Sequence, residues 1–230
     1  MDNVKAAIEY KINVGDDFFL LNNKQYELLE GILNMGSISK AAKSLNISYR
    51  TALNYIEKIE STLDVKIVST TKGGKGGGGG TNLTDDGFSI LKECKKINAI
   101  MELHNDVNEF ETEVASIDNS NGVMGLKSHD ILIKIPINKN YSVGEKLLTL
   151  ISYDNIFLML EPSISSIRNV FKGKIVEMKL EEEIVRIRIA TGGLMFYSDI
   201  TLSAEKDLDL TIGKEVYIGF KATSVATLKL

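Results

Sequence analysis

The sequence predicts an α+β protein, with a helical N-terminal half that includes a strand-flanked loop and an all-β C-terminal half of small OB-like barrels. Apolar residues recur at helical spacing as far as about residue 104, and short β-rich runs follow Asn108. These changes of pattern divide the chain into a helical domain, a linker helix and two β modules. The expected boundaries are 1–83, 84–110, 111–163 and 164–230.

A pair of helices lies at the centre of the first half. An amphipathic helix over 24–33 would support it. Ser37 is placed to cap a short helix that ends at Leu45, and Ser48 to cap a longer helix that runs to about Leu63. The sequence therefore predicts two helices joined by a tight turn.

The longer helix of the pair has one apolar and one polar face. Residues at helical spacing that can face a core are Tyr49, Ala52, Leu53, Ile56, Ile59 and Leu63. Candidate DNA contacts on the other face and at the cap are Ser48, Arg50, Thr51, Asn54 and Lys58. A DNA major groove admits such a helix, with side chains of its first turns on the base edges. The alternative is an ordinary helical hairpin with a solvated polar face.

A glycine-rich loop follows the pair. Strand-like runs at 65–68 and 81–83 flank it, and Lys72 and Lys75 lie within it. Glycine permits a close approach to a backbone, and the two lysines could contact phosphate, so the loop is interpreted as a wing with an edge strand from 7–20. A flexible linker is the alternative by composition. A nucleotide-binding P-loop is excluded, because no Lys-Ser/Thr follows the glycines.

Charge and composition restrict the function classes. The net charge is −4, yet the segment 22–83 holds eight basic and five acidic residues, so its charge is +3 and that of the remainder is −7. The single cysteine, Cys94, predicts a reducing compartment, and no run reaches membrane-spanning length, so a cytoplasmic location is expected. His104 and His129 have no partners at ligand spacing, and no catalytic constellation is present. We expect neither a structural metal nor an enzyme.

A long helix after Thr84 connects the two halves. Thr84 would cap it, with two aspartates in its first turn. Its apolar positions alternate in steps of four and three: Ile90, Cys94, Ile97, Met101 and His104. This period favours a helix–helix seam, and hence a homodimer whose paired recognition helices read a palindromic site. The alternative is a helix packed on its own domain.

The C-terminal half contains a weak internal repeat. Strands are expected at 131–135, 146–151, 156–160, 174–179, 184–189, 216–220 and 225–230. Residues 142–146 match 211–215 at an offset of 69, and the same offset sets 130–131 on 199–200. We expect two related β modules, of which the first is degenerate.

Two short segments of this half combine hydrogen-bond donors with positive charge. Ser166, Arg168 and Asn169 stand at a strand entry, and Lys221 and Ser224 stand in a turn. Hydroxyls, a guanidinium, an amide and an ammonium suit a small oxyanion. The alternative is a set of surface charges and turn residues.

Both halves resemble known families. The run 166–176 is similar to the opening of molbindin (Mop, or TOBE) modules, and 199–202, 208–210, 213–216 and 221–225 match the rest of such a module in order. The first half resembles the LysR-like winged helix of the ModE family of molybdate-responsive regulators. This second resemblance is found in four sequence segments, at residues 36–39, 47–49, 71–79 and 83–84.

The resemblance implies a dimeric transcription factor that binds molybdate or tungstate where β modules of two subunits meet. The positions that would hold the anion are Ser166, Arg168, Thr201, Lys221 and Ala222; Ser203 would substitute for a family serine that falls on Ala204. By the same resemblance, the protein would repress an oxyanion transport operon. In the first module, Ser152 and Asp154 take the positions of Lys221 and Thr223. Asp154 would repel an anion, so the resemblance does not extend to a second oxyanion site built from the first module. The alternatives are an oxyanion storage protein and a regulator that no longer responds to a ligand.

Overall fold

A computed structural model describes residues 8–71, 80–104 and 106–230 of the chain. The chain divides after Ile100 into two compact units. Within the described ranges, no helix is both long enough and apolar enough to span a membrane.

The described residues of the first unit form four helices and two small hairpins. Its elements are β1 (Glu9–Val14), β2 (Asp17–Asn22), α1 (Asn23–Met35), α2 (Ile38–Ser44), α3 (Tyr49–Leu63), β3 (Val68–Thr70), β4 (Thr81–Leu83) and α4 (Asp85–Leu103).

Local hydrogen bonds explain where its helices begin. Asn22 and Gln25 form a reciprocal capping box at α1. The hydroxyl of Ser48 accepts the Thr51 amide at 3.0 Å, and that of Thr84 accepts the Gly87 amide at 3.1 Å. Ser37 caps α2 in the same way. The three caps that the sequence predicts are therefore confirmed.

The core of the first unit differs from expectation at Tyr49. Ala52, Ile56, Ile59 and Leu63 of α3 are buried, but Tyr49 is 52% exposed. Tyr49 shares the helix face of Ile56, but the core does not extend to this first residue of α3. Placing Tyr49 in the core was wrong, because spacing gives the face of a residue but not how far the core extends along it.

The two hairpins are separate sheets. β1 pairs with β2, and β3 pairs with β4, in antiparallel register. The prediction of an edge strand for the wing at 7–20 was therefore wrong. The strand expected at 65–68 begins only at Val68, because Asp64 ends α3 in the left-handed conformation and the Glu60 side chain binds the Ile67 amide.

The predicted seam on α4 is half buried within its own unit. Ile90 and Cys94 are buried there, which fits packing on the helix's own domain. Ile97 and Met101, further along the same seam, are exposed.

The second unit contains ten strands in two five-stranded antiparallel sheets. Its elements are β5 (Val107–Asp118), β6 (Val123–Ser128), β7 (Ile131–Pro136), β8 (Lys146–Ser152), β9 (Phe157–Met159), β10 (Asn169–Glu181), β11 (Ile184–Thr191), β12 (Leu194–Thr201), α5 (Leu202–Asp207), β13 (Glu215–Phe220) and β14 (Ala226–Lys229), with 3-10 turns at Tyr153–Asn155 and Ala222–Ser224. The sheet orders are β14-β8-β5-β6-β7 and β12-β11-β10-β13-β9.

The two sheets share one core. Phe110 of β5 packs on Phe196 of β12 with ring centroids 4.7 Å apart, and Phe196 lies 6.1 Å from Phe220 of β13. The last strands are exchanged, since β9 pairs with β13 and β14 pairs with β8. Hydrogen bonding therefore crosses the expected boundary between 111–163 and 164–230, and β5 begins inside the expected linker 84–110.

The internal repeat is present, but its offset changes along the chain. β5 and β10 carry a bulge after Val114 and after Ile175, 61 residues apart. β8 and β13 begin at Lys146 and Glu215, 69 residues apart. The connection that contains α5, residues 202–214, is four residues longer than its counterpart at 137–145, so it accounts for half of this difference of eight. The sequence match of 130–131 with 199–200 was therefore wrong, because it applied the later offset to earlier strands.

Candidate functional site

The polar face of α3 is free for a ligand. Arg50, Asn54 and Lys58 are exposed along one side of the helix. Among the described residues, none of their side chains forms an ion pair or a hydrogen bond. Ser48 and Thr51 bond to each other at the cap, with their hydroxyl oxygens 2.8 Å apart. The face therefore offers a guanidinium, an amide and an ammonium that have no partner among the residues described for this unit.

The hairpin of β3 and β4 follows α3 directly. Its strands are held by pairing of Val68 with Leu83 and of Thr70 with Thr81. Lys72 and Lys75, predicted to contact phosphate, lie outside the described residues. The exposed Tyr49 is a further candidate that sequence reasoning assigned to the core. Its position directly after the Ser48 cap was the available signal, since residues of the first turn are the ones that reach into a groove.

In the second unit, two cationic residues directly flank one end of the ladder between β10 and β13. Asn169 pairs with Phe220 at the end of this ladder, so Arg168 and Lys221 occupy the next opposed positions. Both side chains are exposed, and neither pairs with a carboxylate in the part of the chain that the structure describes. The Arg168 guanidinium donates to the Ser165 carbonyl at 2.6 Å, through Nη1. Two uncompensated charges at one ladder end are the chemistry that an anion requires.

The other residues predicted to bind the anion lie at two separate locations. Ser166 lies in the exposed approach to β10, and Ala222 and Ser224 belong to a 3-10 turn that lies against β7. Thr201 and Ser203 lie at α5 instead: the Thr201 hydroxyl accepts the Ala204 amide at 3.2 Å, and the Ser203 hydroxyl donates to Asp207 at 3.3 Å. A cavity of about 660 Å³ is lined by Thr201 but by neither Arg168 nor Lys221. Within one chain, the predicted residues are not brought into a single pocket.

The Asn169 side chain joins the two sheets of the second unit. It is 1% exposed, its Oδ1 accepts the Lys134 amide at 2.7 Å, and its Nδ2 donates to the Lys134 carbonyl at 2.9 Å. The side chain thus satisfies both backbone groups of a residue on the edge strand β7, and it ties β10 to the other sheet. Asn169 therefore sets the position of Arg168, the residue that precedes it.

Asn108 is the counterpart of Asn169 in the first half of the repeat, and sequence reasoning missed it. Its Oδ1 accepts the Tyr197 amide at 2.7 Å, and its Nδ2 donates to the Tyr197 carbonyl at 3.0 Å, so β5 is tied to β12. The available signal was an asparagine at the start of each long strand, 61 residues apart, as the bulges are. The residues beside Asn108 differ from those beside Asn169. Val107 takes the position of Arg168, and it pairs with Ser152, which takes the position of Lys221.

The cavity beside Thr201 is acidic. Asp106, Asp154 and Asp199 line it, and its one arginine, Arg186, is paired with Asp199 at 2.8 Å and with Asp106. The hydrogen bonds from Arg186 to Asp199 and then Asp106 raise the pKa of the guanidinium above its ordinary value. Since these carboxylates outnumber the cation, the cavity disfavours a small dianion.

These features define a class: a winged helix-turn-helix protein with a C-terminal pair of exchanged β modules. The family model of the bacterial regulatory helix-turn-helix proteins of the lysR family matches residues 23–88, and the family model of the TOBE domain matches residues 165–227.

Three curated proteins are similar to this chain. The chain is 27% identical over 207 residues to the molybdenum transport protein ModE of Azotobacter vinelandii, covering 89% of this chain and 64% of that protein. It is 26% identical over 201 residues to the transcriptional regulator ModE of Yersinia pestis, covering 86% and 62%. Over 93 residues it is 30% identical to the molybdenum import ATP-binding protein ModC of Haemophilus influenzae, covering 40% of this chain and 25% of that protein. The chain thus spans less than two thirds of the length of these relatives.

Proposed function

We propose that this chain is a DNA-binding transcriptional regulator whose affinity for its operator responds to molybdate or tungstate. The lysR-family match covers α3 with its unpaired Arg50, Asn54 and Lys58, and the TOBE match covers Arg168 and Lys221. A relative that aligns over most of the chain is named a transcriptional regulator. These observations support the two halves of the proposal separately.

The ligand half of the proposal rests on the opposed pair of Arg168 and Lys221. A tetrahedral dianion placed between them would accept charge-assisted hydrogen bonds from both side chains. The hydroxyl of Ser166 and the backbone amide of Ala222 are close in sequence and would add neutral donors. Because the two cations repel each other without a partner of opposite charge, an anion is the ligand that relieves the most unfavourable interaction there.

A second copy of the chain would complete the site. Thr201 and Ser203, which the family resemblance adds to the site, lie at α5 and not beside Arg168 within one chain. This separation is expected for a ligand held at an interface, where each copy supplies one part. We therefore propose a homodimer with the anion bound between β modules.

The proposed response to the anion is a shift between two arrangements of the dimer. If the anion bridges two copies, it stabilises only the arrangement in which both parts of the site meet, and the equilibrium shifts by that difference in affinity. The two α3 helices would then acquire a fixed spacing, which a palindromic operator requires. Repression of an oxyanion transport operon is the regulatory outcome that we propose.

Isothermal titration calorimetry with molybdate, tungstate and sulfate tests the ligand half. We expect saturable heat with molybdate or tungstate, and a loss of affinity of about 10- to 100-fold in Arg168→Ala, because a charge-assisted hydrogen bond contributes about 1.5–3 kcal/mol. Lys127→Ala, an exposed lysine on β6, is the matched control and should bind as the wild type does. Absence of heat with all three anions would contradict the proposal and favour a regulator without a ligand.

A gel-shift titration on the DNA upstream of the protein's own gene tests the other half. We expect a shift whose midpoint changes with molybdate or tungstate and which Arg50→Ala weakens. Anion binding without any DNA shift would favour an oxyanion storage protein. A DNA shift that is insensitive to a bound anion would contradict the proposed coupling while leaving DNA binding in place.

A further inference from the structure

Glu60 is a buried carboxylate on the recognition helix α3. It is only 9% exposed, and its neighbours on the buried face, Ile56, Ile59 and Leu63, are apolar. A charge at such a position is unfavourable unless hydrogen bonds compensate its desolvation. The hydrogen bonds of Glu60 therefore indicate what the residue does.

Those hydrogen bonds lie where the hairpin of β3 and β4 begins. Glu60 Oε1 accepts the amide of Ile67 at 2.9 Å and that of Val68 at 3.4 Å. Glu60 Oε2 accepts the Lys66 ammonium at 2.5 Å. One side chain of α3 thus binds three consecutive residues, the last of which is the first residue of β3.

The same short segment is held from its other side. The carbonyl of Ile67 accepts the Thr84 amide at 3.1 Å, and the Thr84 hydroxyl donates to the Lys66 carbonyl. Gly87 of α4 lies so near that a Cβ there would stand 2.1 Å from the Ile67 carbonyl oxygen. The segment that leads into β3 therefore lies between Glu60 of α3 on one side and Thr84 and Gly87, at the start of α4, on the other.

We infer that Glu60 is a positioning residue for DNA binding, which holds the start of the hairpin of β3 and β4 in a fixed place relative to α3. The inference rests on the proposed DNA-binding function. α3 carries Arg50, Asn54 and Lys58 on its exposed side, and Glu60 joins the same helix to the wing. A surface preorganised in this way loses less conformational entropy when both elements contact the duplex.

Replacement of Glu60 by alanine, with Glu57→Ala as the matched control, tests this role. Glu57 lies on the same helix and is exposed, so both variants lose one negative charge near the DNA. The loss of an acid alone should leave affinity for a polyanion unchanged or slightly higher. Opposite effects of the two variants would therefore isolate positioning from charge.

The assay is fluorescence anisotropy with a labelled duplex of mixed sequence, titrated at several salt concentrations. We expect Glu60→Ala to bind about tenfold more weakly than Glu57→Ala, and its plot of log affinity against log salt to be less steep by about 0.9 for each phosphate contact that is lost. Glu60→Gln keeps an oxygen that can accept the Ile67 amide, so it should bind much more tightly than Glu60→Ala. A purely stabilising role would lower the melting temperature of Glu60→Ala without this change of slope in the folded protein.

Circular dichroism establishes that each variant is folded at the assay temperature. If Glu60→Ala is unfolded, Glu60→Asp takes its place with Glu57→Asp as control, because aspartate keeps the charge but is too short to reach the Ile67 amide; weaker binding by Glu60→Asp alone is expected. Equal affinity and slope in the Glu60 and Glu57 variants would overturn the inference and leave the proposed function standing. No binding of DNA by the wild type would overturn both.

Discussion

Replacement of Asn169 by alanine gives a direct measure of how the two sheets of the second unit are joined. The side chain is buried, and it makes two hydrogen bonds, of 2.7 and 2.9 Å, to the backbone of Lys134. Each hydrogen bond contributes about 1 kcal/mol net. The Lys134 amide and carbonyl would also be left without their partner, although water can reach an edge strand. We therefore expect a loss of about 2–3 kcal/mol in the free energy of unfolding.

Thermal unfolding followed by circular dichroism measures this loss. For a unit of this size, 1 kcal/mol corresponds to about 4 °C, so the melting temperature should fall by about 8–12 °C. Asn119→Ala, in an exposed turn, is the matched control and should melt as the wild type does. Hydrogen exchange adds a local test, because the Lys134 amide should exchange faster in the variant while amides in the middle of β11 do not.

The result that would refute this reasoning is a loss below about 0.5 kcal/mol with unchanged exchange at Lys134. Such a result would mean that other contacts hold β7 against β10 and that the Asn169 amide is free for a ligand. If the reasoning holds, Asn169→Ala should also weaken anion binding indirectly, since Arg168 precedes the position at which the strand is tied.

Three further predictions concern single residues. Gly87→Ala should destabilise the first unit by about 1–3 kcal/mol in chemical denaturation, because its Cβ would lie 2.1 Å from the Ile67 carbonyl oxygen and backbone must move; equal stability would contradict the tight packing of α4 there. Burial raises the pKa of the Cys94 thiol to about 11, so at pH 8 a thiol reagent should label the protein only after denaturant is added, and rapid labelling of the native protein would count against it. Hydrogen bonds from Ser120 and Asn121 lower the pKa of Asp118 to about 2, so the folded state takes up this proton less readily than the unfolded state. The resulting stabilisation is complete above about pH 4 and is lost as the pH falls towards 2. Asp118→Asn should therefore lose less stability than the wild type over that interval. Equal losses would contradict a lowered pKa of Asp118 in this turn.

Short-range patterns made much of the fold predictable. Ser48 and Thr84 precede their helices as caps do, and the hydrogen bonds of a cap involve residues three positions apart, so the sequence contains both partners. The alternating run at 131–135 likewise became β7, with its odd-numbered residues buried. The glycines at 192 and 193 have the positive φ angles of a turn.

Predictions that depended on long-range pairing were less reliable. The exchange of β9 and β14 between the modules joins strands about 60 and 80 residues apart, and nothing within a strand specifies its partner. Tyr49 has the helical spacing of a core residue, yet it is exposed in the described part of the first unit. The constant offset of the repeat failed for the same reason, because α5 interrupts one module only.

The sequence by itself determined which chemistry is present: a basic, capped helix pair in the first half, and Arg168 and Lys221 among hydroxyls in the second. It could do so because charge and hydrogen-bonding capacity belong to residue types. Only the tertiary structure decided which of these groups meet. Arg168 and Lys221 flank the same end of the β10–β13 ladder, Thr201 lines a different, acidic cavity, and the backbone of a distant strand holds Asn169. Neighbour relations of this kind are fixed by strand pairing and packing over long sequence separations, and no local pattern contains them.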